Sequence, residues 1–253
     1  MEFMRVLYAG DVRWVLLEDA GLFWIRGDPF AEWARAGEVS CLAGIRFLPP
    51  CAPTKIVAVG LNYLSHAEEM GSRLPAEPVL FLKPPSSVVG HRDNVVYPRH
   101  LSLEVDYEGE LALVIGRRGS NIPRGQVFDY VFGYTCANDV TARDLQRRDN
   151  QWTRAKGFDT FCPLGPAIAV HVEASCLTIT TRVNDQIRQR ASTSEMIFPV
   201  DVLVSYISQV MTLEPGDVVL TGTPAGVGEL QPGDLVEVEI EGVGTLTNPV
   251  VEA

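Results

Sequence analysis

The most informative stretch of the chain is Leu103-Glu104-Val105-Asp106-Tyr107-Glu108-Gly109-Glu110-Leu111-Ala112-Leu113. Acidic and apolar residues alternate along it, and successive side chains of a β-strand point to opposite faces. The alternation predicts a long strand over Leu103–Ile115. One face of that strand carries four carboxylates, from Glu104, Asp106, Glu108 and Glu110. Such a face requires either solvent or a bound cation.

The segments before this stretch are also rich in strand patterns. Residues 4–26 alternate like short strands, and a short helix is predicted around Pro29–Ala36. Three prolines in residues 49–53 sustain neither a helix nor a central strand, so we expect a domain boundary there. The chain then divides into a small strand-rich N-terminal domain, residues 1–52, and a main domain, residues 53–253. We expect the small domain to pack against the main domain or a second subunit.

The main domain is predicted to be a strand-rich α+β fold with few helices. A hairpin is predicted over Leu177–Ala191, with its turn at Asn184-Asp185. Apolar residues at helical spacing predict an amphipathic helix over Pro199–Met211. Shorter helices are predicted over Asn62–Met70 and Thr141–Asn150. Neither a fixed-period repeat nor a regular strand–helix alternation occurs, which argues against a solenoid and a doubly wound sheet.

The composition narrows the function classes. The chain has 253 residues, of which 32 are acidic and 21 basic, and its formal net charge is −11. We therefore expect no nucleic-acid partner, since nucleic acids are bound largely through basic side chains. The chain contains no uninterrupted run of about 18 apolar residues and no signal-peptide pattern, so we expect no membrane association and a cytoplasmic location.

Two carboxylates of the acidic stretch are candidates for metal binding. At i and i+2 on a strand, Glu108 and Glu110 repel each other by about 2 kcal/mol at an effective dielectric constant of about 20, and a bound cation would reverse this cost. Asp139 follows a predicted strand over Val131–Ala137 and can supply a third oxygen ligand. Three oxygen ligands without His or Cys suit an octahedral, substrate-accessible Mg²⁺ or Mn²⁺ more than zinc. The alternative is a solvated strand face, the commoner role of alternating acids.

A second group of candidates lies on the predicted helix that follows Asp139. Thr141 is expected to cap its N-terminus, where free amides attract anions. Arg143 and Gln146 are three residues apart and point the same way, so an anionic group could dock on both. Thr141 and Asp144 are equally compatible with a structural capping arrangement.

The remaining candidates are scattered along the chain. His66 and Glu69 stand at i and i+3, so the carboxylate can orient the imidazole as a general acid–base pair; the alternative is a structural histidine. Lys83 and Lys156 lie at strand or loop ends, where substrate groups gather. Thr223 lies in a glycine-rich turn that matches neither a dinucleotide-binding nor a phosphate-binding loop, but can offer its hydroxyl to an anion.

Together these segments resemble the fumarylacetoacetate hydrolase family, specifically its shorter microbial and mitochondrial-type members. The likeness runs from about Lys55 to the C-terminus. It rests on six ordered motifs: Gly60-Leu61-Asn62-Tyr63 with His66 and Glu69, Phe81-Leu82-Lys83-Pro84, Asp106-Tyr107-Glu108-Gly109-Glu110-Leu111, Asn138-Asp139-Val140-Thr141-Ala142-Arg143-Asp144-Leu145-Gln146, Lys156-Gly157-Phe158-Asp159-Thr160, and Thr221-Gly222-Thr223-Pro224-Ala225-Gly226-Val227-Gly228.

The resemblance implies a fold and a role for each candidate. It implies a mixed β-roll catalytic domain that forms a homodimer, with Mg²⁺ or Mn²⁺ held by Glu108, Glu110 and Asp139. His66 and Glu69 would form the acid–base pair on a mobile lid. Five residues would contact the carboxylate and oxo groups of the substrate: Lys83, Arg143, Gln146, Lys156 and Thr223. Of these, Lys156 is grouped with His66 and Glu69 as catalytic.

The implied activity is that of an enzyme acting on a small enolisable 2-oxo acid through a metal-bound enolate. Isomerisation or decarboxylation of a 2-hydroxy-diene diacid, of the 2-hydroxyhepta-2,4-diene-1,7-dioate type in aromatic catabolism, is the favoured reaction. The alternatives are carbon–carbon hydrolysis of an acylpyruvate of the fumarylpyruvate type and decarboxylation of oxaloacetate. A non-catalytic dicarboxylate-binding protein is the alternative of another class, and it would not need His66 and Glu69.

Overall fold

The computed structural model describes residues 1–41, 43–71 and 73–253, and strands dominate it. The first 52 residues contain β1 (Glu2–Tyr8), β2 (Asp11–Glu18), β3 (Gly21–Gly27), β4 (Trp33–Glu38) and β5 (Arg46–Phe47). The remaining strands are β6 (Ile56–Gly60), β7 (Val79–Lys83), β8 (Val88–Val89), β9 (Val95–Tyr97), β10 (Val105–Tyr107), β11 (Gly109–Ile115), β12 (Val131–Asn138), β13 (Thr141–Ala142), β14 (Cys162–Ala169), β15 (Thr178–Val183), β16 (Gln186–Ser192), β17 (Val218–Leu220), β18 (Gly228–Glu229), β19 (Leu235–Ile240) and β20 (Gly244–Glu252). The α-helices are α1 (Leu64–Glu69), α2 (Arg143–Arg148), α3 (Thr153–Lys156) and α4 (Val200–Val210), and short 3₁₀ segments span Pro85–Ser87, Arg124–Asp129, Ala174–Cys176 and Thr193–Glu195.

Within the described residues the strands form three sheets. The largest has twelve strands in the order β4-β3-β2-β1-β14-β12-β11-β17-β6-β7, with β5 paired to β1 and β8 paired to β14. A three-stranded sheet has the order β13-β10-β18, and a five-stranded sheet has the order β16-β15-β19-β20-β9. Most neighbours are antiparallel, but β17–β6, β14–β8 and β20–β9 are parallel. This mixed, strand-rich arrangement confirms the predicted α+β fold class.

The N-terminal strands extend the main sheet. Strand β1 pairs with β14 through Glu2↔Ala169 and Phe3↔Ile168. The buried Phe3 ring packs between the rings of Trp33 and Phe132, at centroid distances of 5.3 and 5.1 Å. The N-terminal strands therefore pack against residues 53–253 through shared main-chain hydrogen bonds and aromatic contacts.

Two local predictions are confirmed. Helix α4 begins after Pro199, and its residues Val200, Leu203, Val204 and Ile207 are buried in the core against the largest sheet, as the i, i+3, i+4, i+7 spacing requires. The β15–β16 hairpin turns at Asn184 and Asp185 with φ of 52° and 63°. Both values suit the type I′ turn that joins two-residue hairpins. No described helix is long and apolar enough to cross a membrane.

The helix predicted around Pro29–Ala36 is wrong. Residues 28–32 form a tight turn closed by the Asp28 N–H bonded to the Glu32 carbonyl, and β4 then pairs with β3 from Gly27↔Trp33 to Phe23↔Glu38. A helix of so few residues is marginal, because nucleation costs more than its few hydrogen bonds return. Pairing along the open edge of β3 supplies more hydrogen bonds, and Trp33 gains the aromatic contact with Phe3.

The single strand predicted over Leu103–Ile115 is also wrong. It breaks at Glu108 into β10 and β11, which belong to different sheets. The predicted helix over Thr141–Asn150 is correspondingly shorter, because Thr141 and Ala142 form β13 and pair with β10 before α2 begins at Arg143. In both cases a long-range strand pairing overrides a local pattern, and no window of sequence contains the partner.

A buried aspartate immediately before β17 binds Thr54 and Lys55, which precede β6. Asp217 is fully buried, and its Oδ1 accepts hydrogen bonds from the backbone N–H of Thr54 (3.1 Å), the Thr54 hydroxyl (2.7 Å) and the backbone N–H of Lys55 (3.1 Å). Its Oδ2 accepts from the Glu214 N–H at 2.8 Å and pairs with the Lys55 ammonium. One carboxylate thus sets the register in which β6 lies beside β17.

We expect Asp217→Ala to lower the free energy of unfolding by about 3 kcal/mol, because buried backbone donors lose a charged acceptor. Urea unfolding measures this change. The matched control is Asp11→Ala, since the Asp11 side chain is 73% exposed in a surface ion pair, and its expected effect is below about 0.5 kcal/mol. Equal effects of the two substitutions would contradict the anchoring role of Asp217.

Candidate active site

Three buried carboxylates converge where β11 begins and β12 ends. These two strands pair through Gly109↔Asn138, so the residues that flank this pair meet. Glu108, Glu110 and Asp139 each place one carboxylate oxygen within 4.8 Å of the other two. All three side chains are almost inaccessible to solvent. The structure thus brings together the three metal ligands predicted from the sequence.

The break in the strand at Glu108 creates this convergence. The Glu108 N–H donates to Asn138 Oδ1 at 2.9 Å, and the Glu108 carbonyl accepts from the Asp139 N–H at 2.8 Å. Only glycine fits the next position, because a Cβ on Gly109 would lie 2.0 Å from Thr181 Oγ1. Hydrogen bonds across the end of β12 therefore hold Glu108 over Asp139.

Three buried cations enclose the carboxylates from three different elements. Lys156, at the end of α3, donates from Nζ to Glu108 Oε2 (2.8 Å) and to Asp139 Oδ2 (2.6 Å). Lys83, at the end of β7, donates to Asp139 Oδ1 at 2.6 Å. Arg143, at the start of α2, donates from Nη2 to Glu108 Oε1 at 2.7 Å.

Arg143 forms more hydrogen bonds within the protein than the sequence predicted. Its Nε donates to Asp106 Oδ2 at 2.8 Å and its Nη1 to Gln146 Oε1 at 2.6 Å, in addition to the bond with Glu108. The guanidinium expected to receive an anion together with Gln146 is therefore committed to the protein's own oxygens.

The N-cap role predicted for Thr141 is wrong. Ala142 holds that position. The Thr141 hydroxyl lies 3.1 Å from Glu108 Oε1 and 2.9 Å from the Asp139 carbonyl.

With every carboxylate ionised, the cluster has a formal excess of negative charge. Its four carboxylates, with Asp106 included, face the three cations, so the formal sum is −1. Among the described residues no cation forms an ion pair with Glu110, whose Oε2 accepts from the Gly222 N–H at 2.6 Å. Burial first, and then the charges of Asp139 and Glu108, raise the pKa of Glu110 well above its usual range. Burial also acts to raise the pKa of Glu108, but Lys156 and Arg143 outweigh it and hold that pKa below the usual range.

The residues present fit a divalent cation. Three carboxylate oxygens form the donor set that Mg²⁺ and Mn²⁺ prefer, and one of the carboxylates lacks an ionic partner. Addition of a divalent ion would change the formal sum of the cluster from −1 to +1. The net positive charge of the cluster would then favour the binding of an anionic substrate.

His66 lines the cavity above this cluster, and Glu69 lies behind it. His66 Nδ1 lies 3.1 Å from Glu69 Oε2, and the imidazole is buried. Glu69 Oε1 also accepts from the Gly226 N–H at 3.0 Å, so the same carboxylate ties α1 to the glycine-rich turn 221–228. The predicted pair therefore exists as an oriented unit, with Nε2 as the imidazole nitrogen left for a ligand.

Asn62 positions the beginning of α1. Its amide donates to the carbonyls of Phe198 (3.0 Å) and Thr221 (2.8 Å), and its Oδ1 accepts from the Phe198 N–H at 2.8 Å. The preceding Leu61 adopts a φ of 54°, in the left-handed region that an aliphatic residue rarely occupies. This strained turn brings the chain from β6 into α1 beside the carboxylates.

One cavity of about 220 Å³ joins these groups. Its walls include eight of the ten predicted site residues: His66, Glu108, Glu110, Asp139, Arg143, Gln146, Lys156 and Thr223. The other two lie behind the wall, Lys83 against Asp139 and Glu69 against His66. Lys83, expected to contact substrate, instead supports a carboxylate of the cluster.

The sequence of residues 55–251 matches the family described as Fumarylacetoacetate (FAA) hydrolase C-terminal, and residues 1–50 match the family described as Rv2993c-like, N-terminal. The chain belongs to the fumarylacetoacetate hydrolase family. The predicted resemblance is confirmed, and membership places the chain among enzymes.

Members of the family similar to this chain carry different activities in their names. Oxaloacetate tautomerase YisK of Bacillus subtilis is 42% identical over 241 residues, which are 87% of this chain and 80% of the relative. The structure of 2-hydroxyhepta-2,4-diene-1,7-dioate isomerase from Mycobacterium marinum is 44% identical, with a TM-score of 0.91 over 100% of this chain and 98% of that one. The structure of fumarylpyruvate hydrolase from Pseudomonas aeruginosa, in complex with Mn²⁺ and pyruvate, is 36% identical, with a TM-score of 0.76 over 82% and 92% of the two chains.

Four residues that hold the cavity in its shape were not among the predicted site residues. Asp106 lies in the acidic stretch but neutralises Arg143, and Thr141 lies beside Glu108 rather than at a helix cap. Asn62 belongs to the motif Gly60-Leu61-Asn62-Tyr63 but was given no role of its own. Gln189 had no local signal, because it comes from a hairpin and reaches the site only through tertiary packing.

Gln189 holds the turn that carries Thr223. Its Nε2 donates to Thr223 Oγ1 and to the Pro224 carbonyl, both at 2.8 Å, and its Oε1 accepts from the Gly109 N–H at 3.0 Å. The Thr223 hydroxyl in turn donates to the Gly109 carbonyl at 2.8 Å. The proton of that hydroxyl is thus committed to the protein, which leaves only a lone pair for a ligand.

We expect Glu110→Gln to stabilise the metal-free protein at pH 7 by about 1–3 kcal/mol, because the repulsion between buried carboxylates disappears. The same variant should lose the rise in Tm that Mg²⁺ gives the unsubstituted protein. Because the folded-state pKa of Glu110 is raised, its ionisation weakens folding as the pH rises above the unfolded-state pKa of about 4.3. The stabilisation should therefore be absent below that pH and grow above it.

Thermal unfolding with and without Mg²⁺, at several pH values, measures both effects of the Glu110 substitution. Glu241→Gln is the control, since Glu241 is exposed in a turn. A metal-free Glu110→Gln protein less stable than the unsubstituted protein, or an unchanged response to Mg²⁺, would refute the ligand assignment.

We expect Gln189→Leu to lower the free energy of unfolding by about 2–3 kcal/mol, because it leaves the buried Gly109 N–H and Pro224 carbonyl unpaired. Gln186→Leu, at an exposed position of the same hairpin, is the matched control. Urea unfolding distinguishes the two variants. If both change stability by the same small amount, Gln189 does not hold the turn.

Proposed function

We propose that the protein is a divalent-metal-dependent enzyme that moves a proton within a small 2-oxo diacid through its enolate, with keto–enol tautomerisation of oxaloacetate as the leading reaction. One observation carries the proposal: His66, oriented by Glu69 behind it, lines the same cavity as the three carboxylates Glu108, Glu110 and Asp139. A proton acceptor and a cation site are the two requirements for enolisation next to a carbonyl.

Glu108, Glu110 and Asp139 would hold Mg²⁺ or Mn²⁺, which when bound supplies a Lewis acid for the negative charge that develops on the 2-oxo oxygen. The Mn²⁺ and pyruvate of the similar fumarylpyruvate hydrolase structure support this choice of metal and of ligand class. The site itself offers no preference between Mg²⁺ and Mn²⁺, since both accept carboxylate ligands in octahedral geometry.

His66 is the proposed base and acid. Glu69 accepts the hydrogen bond from Nδ1, which leaves Nε2 to take the proton from the carbon next to the 2-oxo group and return it to the oxygen. Glu69 also stabilises the imidazolium that forms between these two steps. The substrate loses and regains one proton, so no water or further reactant is consumed.

Lys156 contributes a fixed positive charge rather than a second base. Burial lowers its pKa, but the adjacent Asp139 and Glu108 outweigh burial and raise it, so the ammonium keeps its proton. Two of its three N–H groups bond to these carboxylates, and the third can donate to a carboxylate or oxo oxygen of the substrate. In this position Lys156 orients the substrate while His66 moves the proton.

The size of the cavity favours a short substrate. Its volume of about 220 Å³ is below the range of about 300–1,000 Å³ that is usual for ligand pockets. Oxaloacetate has four carbons, and the similar relative from Bacillus subtilis is named for its tautomerisation. Isomerisation of a 2-hydroxyhepta-2,4-diene-1,7-dioate is the second candidate, because a structure with that name matches the whole chain. That reaction would assign the protein to aromatic catabolism.

The proposal is tested with purified protein and freshly dissolved oxaloacetate, by following the enol absorbance with and without Mg²⁺. Three parallel assays separate the alternative reactions. They follow isomerisation of a diene diacid, hydrolysis of fumarylpyruvate, and release of pyruvate from oxaloacetate by decarboxylation. We expect metal-dependent tautomerisation above the rate of Mg²⁺ alone. No metal-dependent turnover of any of these acids would support a dicarboxylate-binding protein instead.

We expect His66→Ala to lower kcat by about 10²–10⁴-fold, the usual contribution of a general acid–base group, and to leave Mg²⁺ affinity unchanged. His100→Ala is the control, since His100 is exposed and outside the cavity. Stopped-flow absorbance measures kcat and calorimetry measures Mg²⁺ binding. A His66→Ala enzyme with the original kcat would exclude His66 as the proton carrier.

The homodimer is proposed on the family resemblance alone, and sedimentation of the purified protein tests it. A cytoplasmic location also stays a proposal, made from the sequence.

A further inference from the structure

Arg147 is a cation in the cavity wall that the proposed reaction does not use. The wall also contains Arg143 and Lys156, but the buried carboxylates already bind both of these cations. Arg147 pairs instead with Glu104, and both side chains are accessible, at 58% and 40% exposure. Of these three cations, Arg147 is therefore the one whose ionic partner is exposed to solvent.

The position of Arg147 follows from the helix that carries Arg143. The two residues are four apart on α2, so their side chains lie on the same face, one turn from each other. Arg143 is buried among the carboxylates, whereas Arg147 is exposed at the rim. A ligand that extends from the cluster towards solvent along this face would pass from one arginine to the next.

The ion pair with Glu104 is easily exchanged. An exposed pair contributes only about 0–1 kcal/mol, because both charges remain solvated. A carboxylate held at the other end by the buried cluster reaches Arg147 without losing further translational freedom, and a guanidinium can bind it through two parallel hydrogen bonds. The incoming carboxylate can therefore replace Glu104.

We propose that Arg147 binds the distal carboxylate of the substrate and makes the enzyme selective for 2-oxo diacids over 2-oxo monoacids. This inference rests on the proposed function, because that function places the first carboxylate and the oxo group at the buried cluster. Glu104 holds the guanidinium in place in the free enzyme and competes with the diacid. The same arrangement gives Arg147 no contact with a monoacid, which ends before the rim.

The test compares two ligands that differ only in the distal carboxylate, oxaloacetate and pyruvate. Calorimetry in short titrations of fresh solutions measures their binding to Mg²⁺-loaded protein. Arg147→Gln should weaken oxaloacetate binding about tenfold, as expected for a lost hydrogen bond to a charged group, and change pyruvate binding less than twofold. Glu104→Gln should strengthen oxaloacetate binding and leave pyruvate binding unchanged.

Arg148→Gln is the matched control, since it removes the same charge from the next, exposed position, which does not line the cavity. Equal weakening of both ligands in Arg147→Gln, or equal weakening of oxaloacetate in Arg147→Gln and Arg148→Gln, would overturn the inference. The outcome of this binding test does not depend on whether the proposed function is correct. A protein that binds both acids without turnover would refute the tautomerase, yet the ratio of the two affinities would still decide the role of Arg147.

Discussion

The repulsion between buried carboxylates is the constraint on which the rest of the site depends. Two charges 4.8 Å apart repel by about 3 kcal/mol even at an effective dielectric constant of about 20, and Glu108, Glu110 and Asp139 form three such pairs. The chain offsets this cost with Lys83, Arg143 and Lys156, which come from β7, α2 and α3. The packing of these three elements around the end of β12 is thus required by charge as much as by apolar contact.

The three cations do not fully neutralise the four carboxylates, and the proposed chemistry of the site depends on the remaining negative charge. Full neutralisation by a fourth cation would give a stable but inert core, because no position would be left for an ion. Here the glycine-rich turn offers Glu110 only a backbone N–H, so the excess charge remains at the floor of an open cavity. A bound divalent ion would change the formal charge of this cluster from −1 to +1, which would favour the binding of an acid.

The cavity divides its tasks between elements of different origin. The two sheets that meet at Glu108 supply the carboxylates, and α1 supplies His66, the proposed proton carrier. Helix α2 supplies both a buried arginine beside the carboxylates and an exposed one at the rim. The turn 221–228 connects them, since Glu69 and Gln189 both bond to it. Substitutions in this turn can therefore disturb the proposed base and the proposed metal ligands together, although the turn contains neither.

Local sequence determined much of this protein. Alternation and helical spacing were sufficient for the α+β class, for the α4 helix and for the β15–β16 hairpin, because each depends on contacts close in the chain. The six motifs identified the family, and they contain the three carboxylates proposed to bind the metal and the His66–Glu69 pair. Tertiary structure alone decided where the acidic strand breaks, that residues 33–38 form an edge strand, that Lys83 lies behind Asp139, and that Gln189 supports the site. The strand break, the place of Lys83 and the role of Gln189 depend on partners at least 30 residues away. The edge strand depends on its pairing with β3 and on the contact of Trp33 with Phe3. The free energy of such strand pairs and buried ion pairs is not encoded in any single segment.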